Sequence, residues 1–254
     1  MEYRLREFDP AQTKENRIWL IIGPRGSGKT ILLKNILYHT RKKYDFAMAM
    51  TGTTSTVDQL RNFIPYHLIY KKGYNYEQCE TLLKTCKNLT AEGKQQNSLL
   101  VLDDCMFDSK VMKSDAQTEI HLNGRHSGIS LINTTQYAMI IPPAIRTNID
   151  YVLVLQDSVL ANRKRLFEFF FGNFPSFKEF DRVFNEVTQN NGALVLDRTK
   201  NTSNIEDCTF YYKASMDLPQ FRIGKKIYWS MDIYKAVQKY REEHRDNYTP
   251  VLNV

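Results

Sequence analysis

The feature that most constrains the fold is the segment at 18–30, which reads IWLIIGPRGSGKT. Its apolar start predicts a buried strand, its glycine-rich middle a tight loop, and its end the first turn of a helix. Gly23, Gly28, Lys29 and Thr30 have the spacing of a P-loop. The segment therefore predicts an α/β fold with a phosphate-binding loop between a core strand and a helix.

The residue types of this loop fit the binding of phosphate. Small side chains at Gly26, Ser27 and Gly28 would let backbone N–H groups close around phosphate oxygens. The helix that follows, predicted over 30–38, would point its positive end at the same oxygens. We expect Lys29 to contact the β- and γ-phosphates of ATP, and the Thr30 hydroxyl to bind Mg²⁺. The predicted nucleotide-binding residues are Gly23, Pro24, Arg25, Gly26, Ser27, Gly28, Lys29, Thr30 and Ile31.

A second motif consists of the apolar run at 98–102 and the two carboxylates that follow it, Asp103 and Asp104. Such runs are typical of parallel strands covered on both faces. Carboxylates at the end of a strand lie where open α/β sheets bind ligands. The motif is a candidate Walker B sequence, in which Asp103 would hold Mg²⁺ and Asp104 would orient or deprotonate the attacking water. The alternative is that they are acids of a turn or helix N-cap.

A third motif lies at the end of the strand predicted over 129–135. Gln136 follows this strand directly, with Asn133 and Thr135 just before it. A polar side chain at a strand tip can sense the γ-phosphate by hydrogen bonding. Gln136 is therefore the candidate sensor, with Thr135 and Asn133 behind it.

Composition and charge narrow the class of protein. The 254 residues are 42% hydrophobic and 25% charged, which is enough for one large core. The net charge of +7 fits a polyanionic partner without proving one. The four cysteines form no CxxC pair, so we expect reduced thiols, with Cys79 and Cys86 in the core. There is neither a signal peptide nor a transmembrane segment of ~20 apolar residues, which predicts a soluble intracellular protein.

The pattern along the chain predicts one compact domain in three parts. A polar lead-in at 1–16 would pack on the domain edge or against a neighbouring subunit. The P-loop ATPase core would occupy 17–160, and 161–254 would be the C-terminal part of the same domain. Strands are predicted at 17–22, 45–51, 98–102, 129–135, 151–155, 192–197 and 209–213. Helices are predicted at 30–38, 77–89, 113–124, 161–171, 176–190 and 228–245, with a turn-rich stretch at 51–56.

Four segments carry a family resemblance: GPRGSGKT at 23–30, LLVLDDC at 99–105, NGRHSGIS at 123–130 and INTTQYAMIIPPAIRTNID at 132–150. Together they resemble the genome-packaging ATPases of large DNA viruses, including the poxvirus type, in the FtsK–HerA superfamily of P-loop ATPases. The resemblance covers about residues 15–160, and the last ninety or so residues match only in broad style. Many members of the wider superfamily have Glu where this chain has Asp104, and Asp is shorter by one methylene.

The resemblance implies a fold. It is the RecA-like (ASCE) three-layer sandwich of P-loop NTPases, with a mostly parallel central sheet and here a C-terminal β-hairpin and helix extension. An extra strand would lie between the P-loop strand and the Walker B strand. That strand would be the one ending at Gln136, which places the sensor between Lys29 and Asp104.

The resemblance also implies a function. The chain would be an ATP-driven motor that translocates double-stranded DNA into the capsid, as a ring of five or six subunits with ATP at their interfaces. A neighbouring subunit would supply an arginine to the phosphates, Arg125 first and Arg146 second, unless these are structural cations. Capsid portal or membrane vertex proteins are further possible partners. The expected location is the virion or the viral factory in the host cytoplasm.

Other functions remain open from the sequence alone. A small-molecule kinase for nucleosides or nucleotides could use Arg163 and Arg165 as lid arginines. A GTPase would need an Asn-Lys-x-Asp motif, which the sequence lacks, and a scaffold that only binds ATP would not need the two carboxylates. If DNA is the partner, the candidate gripping cations are Lys71, Lys72, Arg163, Lys164, Arg165, Lys225 and Lys226.

Overall fold

The computed structural model describes residues 3–105 and 109–243. The strands are β1 Arg6–Glu7, β2 Ile18–Ile22, β3 Phe46–Thr51, β4 Ile69–Tyr70, β5 Ser98–Asp103, β6 Ile129–Thr135, β7 Tyr151–Leu155, β8 Gly192–Asp197 and β9 Thr209–Lys213. The α-helices are α1 Lys29–Thr40, α2 Thr54–Leu60, α3 Tyr76–Ala91, α4 Ser109–Met112, α5 Asp115–Asn123, α6 Pro143–Arg146, α7 Leu160–Phe169, α8 Phe177–Val187, α9 Ile205–Cys208 and α10 Lys226–Glu243. Short 3-10 helices connect them at Pro10–Gln12, Arg41–Lys43, Tyr66–Leu68, Gly124–Ser127, Ala138–Ile140 and Arg198–Lys200.

The strands form one mixed, mostly parallel sheet of nine strands. Its order is β1-β9-β8-β7-β2-β6-β5-β3-β4. Among the described strands, only the two pairings made by β8 are antiparallel. The α/β fold with a mostly parallel sheet, predicted from the sequence, is therefore confirmed. The extra strand is also where the prediction put it, because β6 pairs with β2 on one side and with β5 on the other.

Helices cover both faces of this sheet. Side chains of β2 alternate between the two faces, so Leu20 packs in one hydrophobic cluster and Ile21 in the other. Leu33 of α1 packs with Ile21, whereas Cys79 of α3 and Phe180 of α8 pack with Leu20. This arrangement is the predicted three-layer sandwich. All four cysteines are free and buried, as expected for Cys79 and Cys86.

Several element boundaries differ from the predictions. The first helix is longer than 30–38, because α1 begins at Lys29 and continues to Thr40. The stretch at 113–124 is not one helix: α4 ends at Met112, and the Ser114 side chain caps a separate α5 by accepting from the Gln117 N–H.

The largest difference is α2, where a turn-rich stretch was predicted at 51–56. Thr54 is the first residue of this helix. Threonine and serine favour caps and turns, so a helix whose first turn consists of them has the composition of a loop. The two short strands β1 and β4 were also missed, because a strand of two residues carries no measurable periodicity.

β1 and the two strands of the C-terminal part, β8 and β9, extend the same sheet. β1, within the lead-in, pairs with β9 at the sheet edge, which is the first of the two positions expected for this segment. β8 and β9 match the predicted strands residue for residue, and β8 pairs with β7. The final helix begins at Lys226, and the predicted end at 245 lies outside the described residues. None of the helices within 3–105 and 109–243 is long and apolar enough to cross a bilayer.

Candidate active site

The carboxyl ends of β2, β3, β5 and β6 meet at one edge of the sheet, because these strands are parallel. A cleft of about 630 Å³ opens there. Its lining is Arg25, Gly26, Gly28, Lys29, Thr30, Ile31, Thr53, Ser55, Thr56, Gln59, Asp103, Asp104 and Gln136. The structure thus brings together residues of all three sequence motifs. Gly23, Pro24 and Ser27 belong to the same loop but are not among the residues that line the cleft.

The loop after β2 requires glycine at defined positions. Gly26 has φ +79° and Gly28 has φ +97°, a backbone region that side chains rarely adopt. A Cβ on Gly23 would lie 2.4 Å from Ser27 Oγ and 2.9 Å from Leu155 Cβ. Gly28 is also the residue that precedes the first turn of α1. The loop therefore presents backbone N–H groups and a helix N-terminus to the cleft, which is the arrangement that binds phosphate.

Lys29 is held against this loop. Its side chain is buried, and Nζ donates to the carbonyl oxygens of Gly23 at 2.8 Å and Pro24 at 3.1 Å. Burial lowers the pKa of Lys29, while the charges of Asp104 and Asp103 raise it in part. The ammonium group therefore lies within the field of both carboxylates.

Asp103 is fixed by threonines on the strands at either side. Thr51 of β3 and Thr134 of β6 are both in register with Asp103. Thr134 Oγ1 donates to Asp103 Oδ1 at 2.7 Å, and Thr51 Oγ1 donates more weakly to Oδ2 at 3.5 Å. These contacts orient a carboxylate that is only 5% exposed.

Asp104 is held by hydrogen bonds to β6 and to the residue that follows this strand. It has φ +49°, which is uncommon for a residue other than glycine and is often found at functional sites. Its N–H donates to Thr134 Oγ1 at 3.1 Å, and its Oδ2 accepts from Gln136 Nε2 at 3.0 Å. Thr134 is therefore bonded to both acids, and Gln136 contacts the second acid directly.

Two residues expected behind Gln136 lie elsewhere. The side-chain amide of Asn133 is 3.3 Å from His121 Nε2, away from the cleft. Thr135 Oγ1 contacts the backbone of Tyr137, so it stabilises the turn after β6. The side chain that is bonded to both acids is that of Thr134, which was not predicted from the sequence. Placing β6 beside β5 in register would have identified it.

The sequence analysis also missed the contributions of α2 and of the loop before β8. Thr53, Ser55, Thr56 and Gln59 line the cleft because α2 starts where β3 ends. A Cβ on Gly28 would lie 3.7 Å from Asn191 Oδ1, so Asn191 borders the P-loop. The signal in the sequence was the row of hydroxyl residues at the end of a predicted strand.

Neither candidate arginine lies in the cleft of its own chain. Arg125 is exposed in the Gly124–Ser127 helix, at the amino end of β6. The seven residues of β6 separate it from Gln136 by roughly 23 Å at ~3.3 Å per residue. Arg146 ends α6 just before β7, and its guanidinium lies 3.8 Å from the centre of the Phe169 ring. Both arginines are near the edge of the sheet opposite the cleft.

Some of the predicted gripping or lid cations are occupied within the chain. Arg163 Nε pairs with Asp181 at 2.5 Å, and Arg163 Nη1 donates to the Asp157 carbonyl oxygen at 3.0 Å. Lys225 pairs with Asp45 at 3.2 Å. These contacts favour structural roles for Arg163 and Lys225 over grip on a ligand.

Comparison with known proteins finds viral relatives. The family model described as "Poxvirus A32 protein" matches residues 6–165. Uncharacterized protein 088R of Invertebrate iridescent virus 3 is 32% identical over 207 residues, covering 80% of this chain and 79% of the relative. Uncharacterized protein 075L of Invertebrate iridescent virus 6 is 28% identical over 258 residues, covering 97% of this chain and 98% of the relative.

Solved structures share the fold. B204, described as the DNA-packaging ATPase from Sulfolobus turreted icosahedral virus, has a TM-score of 0.57 at 18% identity, covering 80% of this chain and all of its own. EssC (ATPases 2 and 3) from Geobacillus thermodenitrificans has a TM-score of 0.56 at 14% identity, covering 98% of this chain and 50% of its own. At these identities the likeness establishes the architecture, which is that of P-loop ATPases.

Proposed function

The chain belongs to the poxvirus A32 protein family, and on that premise we propose that it is an ATPase that drives viral DNA into a capsid. Family membership confirms the resemblance found in the four sequence segments. The observation that carries the proposal is the single cleft where the P-loop lysine, Lys29, meets Asp103, Asp104 and Gln136. The P-loop ATPase architecture supports it, and so does the structural likeness to B204, the DNA-packaging ATPase of Sulfolobus turreted icosahedral virus.

The cleft has the donors that ATP and Mg²⁺ need. Thr30 and Asp103 both line the cleft, and their hydroxyl and carboxylate oxygens are of the kind that Mg²⁺ prefers as ligands. When bound there, Mg²⁺ would neutralise charge on the β- and γ-phosphates. Lys29 would contact the same phosphates from the first turn of α1.

The second acid and the sensor would act on the attacking water. Asp104 lines the cleft and is half-buried, so its second carboxylate oxygen, Oδ1, would accept a proton from water there. Gln136 Nε2 donates to Asp104, which fixes the carboxylate and ties it to the end of β6. Loss of the γ-phosphate would then be transmitted to β6 and to the Ala138–Ile140 turn that follows.

Hydrolysis would take place between subunits of a ring of five or six. Arg125 and Arg146 lie near the far edge of the sheet, so either could reach phosphate only in the cleft of a neighbour. Arg125 remains the first choice because it is exposed, whereas Arg146 is stacked on Phe169. We infer double-stranded DNA as the substrate, portal or membrane vertex proteins as partners, and the virion or viral factory as the location; the viral origin of the relatives supports this.

The test is ATP turnover with and without long double-stranded DNA, across a salt series, with oligomer mass recorded. We expect an oligomer whose ATP turnover is stimulated by DNA. This stimulation should decrease as the salt concentration rises, because salt screens the contacts between cations and DNA phosphates. Lys29→Ala should remove turnover while leaving the circular dichroism spectrum unchanged. A variant with normal turnover would refute the assignment of the P-loop.

Two results would redirect the proposal. A monomer that phosphorylates nucleosides and ignores DNA would favour the small-molecule kinase. In oligomers mixed from wild-type and Arg125→Ala subunits, a loss of turnover larger than the fraction of variant subunits would support action across the interface. A strictly proportional loss would assign Arg125 a role within its own subunit.

A further inference from the structure

A cavity larger than the catalytic cleft lies on the outer side of α1 and α2. Its volume is about 790 Å³. We call it the α1–α2 groove; it is lined by Lys34, Gln59, Arg61, Asn62, Phe63, Leu218, Pro219, Gln220, Phe221, Arg222 and Trp229. The segment before α10 and the first turns of α10 form one wall, so residues from distant parts of the chain build it. Neither the ATP site nor the family match assigns this groove a role.

The groove is positively charged. Three of its lining residues, Lys34, Arg61 and Arg222, are cations, and none of the described residues that line it is acidic. Arg61 has an exposed partner in Asp58 at 3.6 Å, a contact that water screens strongly. Arg222 lies 4.6 Å from the centre of the Trp229 ring, which holds its charge in place without neutralising it. The groove therefore attracts anions.

The groove is also rigid and rich in hydrogen-bond donors. Phe63 and Phe221 stack at 5.0 Å between ring centres and form a buried floor. Ile223 N–H donates to the Phe63 carbonyl oxygen at 2.9 Å, and Trp229 Nε1 donates to the Ile223 carbonyl oxygen at 2.9 Å. The side-chain amides of Gln59 and Gln220 lie beside the cations, whereas Asn62 Nδ2 already donates to the carbonyl oxygens of Asp58 and Gln59.

We propose that the α1–α2 groove binds the phosphodiester backbone of double-stranded DNA; this rests on the proposed function. Several cations with neutral amides and no acid are the side chains that contact phosphate oxygens without reading the base sequence. A packaging motor must grip every sequence, so backbone contacts suit its substrate. The polar rim argues against an apolar helix of another protein as the ligand.

The groove adjoins the ATP site. Gln59 lines both cavities, and α2, which carries it, begins at Thr54 beside the catalytic cleft. Lys34 lies on α1, one turn after Thr30. A shift of α1 or α2 that follows the state of the nucleotide would therefore move cations of the groove relative to the DNA backbone.

The experiment compares Arg61→Gln/Arg222→Gln with a control that loses the same charge elsewhere, Lys42→Gln/Lys94→Gln. The control lysines are exposed and lie outside the groove. Binding of a random-sequence linear duplex is measured over a KCl series, together with ATP turnover without DNA. We expect the groove variant to bind the duplex at least about 10-fold more weakly than the control. The slope of the logarithm of its binding constant against the logarithm of the salt concentration should be shallower by about two, one for each cation removed. ATP turnover without DNA should match that of the control.

Each result decides the matter. Equal duplex affinity and salt slope in the groove variant and the control would overturn the groove assignment while the proposed function stands. A raised KM for ATP with unchanged duplex affinity would assign the groove to the nucleotide instead. A wild-type protein whose turnover and binding ignore DNA would overturn the proposed function and the groove together. Arg61→Gln alone should give half of the change in salt slope. Because this position is exposed, the single variant tests the groove even if the double variant misfolds.

Discussion

At the scale of single residues, the two acids of the proposed active site are both bonded to one threonine. Thr134 Oγ1 donates to Asp103 Oδ1 and accepts from the Asp104 N–H. It is fully buried, so no water replaces these bonds if the hydroxyl is lost. Thr134 is thus a positioning residue, which acts on the reaction through the two carboxylates that it holds.

We predict that Thr134→Val, which keeps the shape and removes the hydroxyl, lowers kcat by about 10- to 100-fold and raises the Mg²⁺ concentration needed for turnover. The KM for ATP should change little, because the P-loop is untouched. Thr134→Ser should recover most of the activity. ATP turnover in a Mg²⁺ titration measures all three effects.

The matched control is Thr135→Val, one residue along the same strand, whose hydroxyl contacts only the Tyr137 backbone among the described residues. Its Mg²⁺ dependence should stay close to that of the wild type. If Thr134→Val had the wild-type Mg²⁺ dependence, the hydroxyl would have no part in positioning the acids.

At the scale of elements, the buried parallel strands were predictable from the sequence, whereas helix α2 and the contacts between adjacent strands were not. The apolar runs of β2, β5 and β7 stand out because both of their faces are covered. Helix α2 was not predicted because its first turn is rich in hydroxyl residues. The four residues at 53, 55, 56 and 59 that line the cleft were therefore not predicted either. Thr134 was hidden for another reason: its role depends on the register between β6 and β5, which periodicity within one strand cannot reveal.

A buried histidine joins α5 to β6. His121 Nδ1 lies 2.7 Å from the Gln117 carbonyl oxygen, so this nitrogen carries the proton. Its Nε2 faces the side-chain amide of Asn133 at 3.3 Å and accepts. Both contacts suit the neutral ring, and burial lowers the pKa of His121 from 6.5 to about 4. The unfolded chain therefore binds a proton on His121 at a pH where the folded chain does not.

We predict that this histidine destabilises the fold as pH falls from 6.5 towards 4. Lowering the pKa of His121 from 6.5 to about 4 corresponds to about 3 kcal/mol of unfolding free energy. The folded protein has this stability in full above pH 6.5 and loses it as the pH falls towards 4. Urea unfolding of wild type and His121→Gln at neutral and acidic pH measures it. The wild type should lose about 3 kcal/mol more than the variant; equal losses would show that His121 titrates normally in the fold.

At the scale of the whole molecule, the position of β6 between β2 and β5 and the family both followed from four short segments. The α1–α2 groove did not, because its cations lie at 34, 61 and 222 and only the folded chain brings them together. The positions of Arg125 and Arg146 are likewise a consequence of topology. Since both lie near the edge opposite their own cleft, a role at the phosphates requires a second copy of the chain.

The proposed function requires that ATP hydrolysis move this protein along duplex DNA. The most direct test is displacement of a triplex-forming strand from a linear duplex, because a translocating motor strips such a strand without needing a capsid. We predict displacement that requires ATP, is lost with Lys29→Ala and is weakened by Arg61→Gln/Arg222→Gln. ATP turnover that DNA stimulates, with the third strand left in place, would contradict the claim.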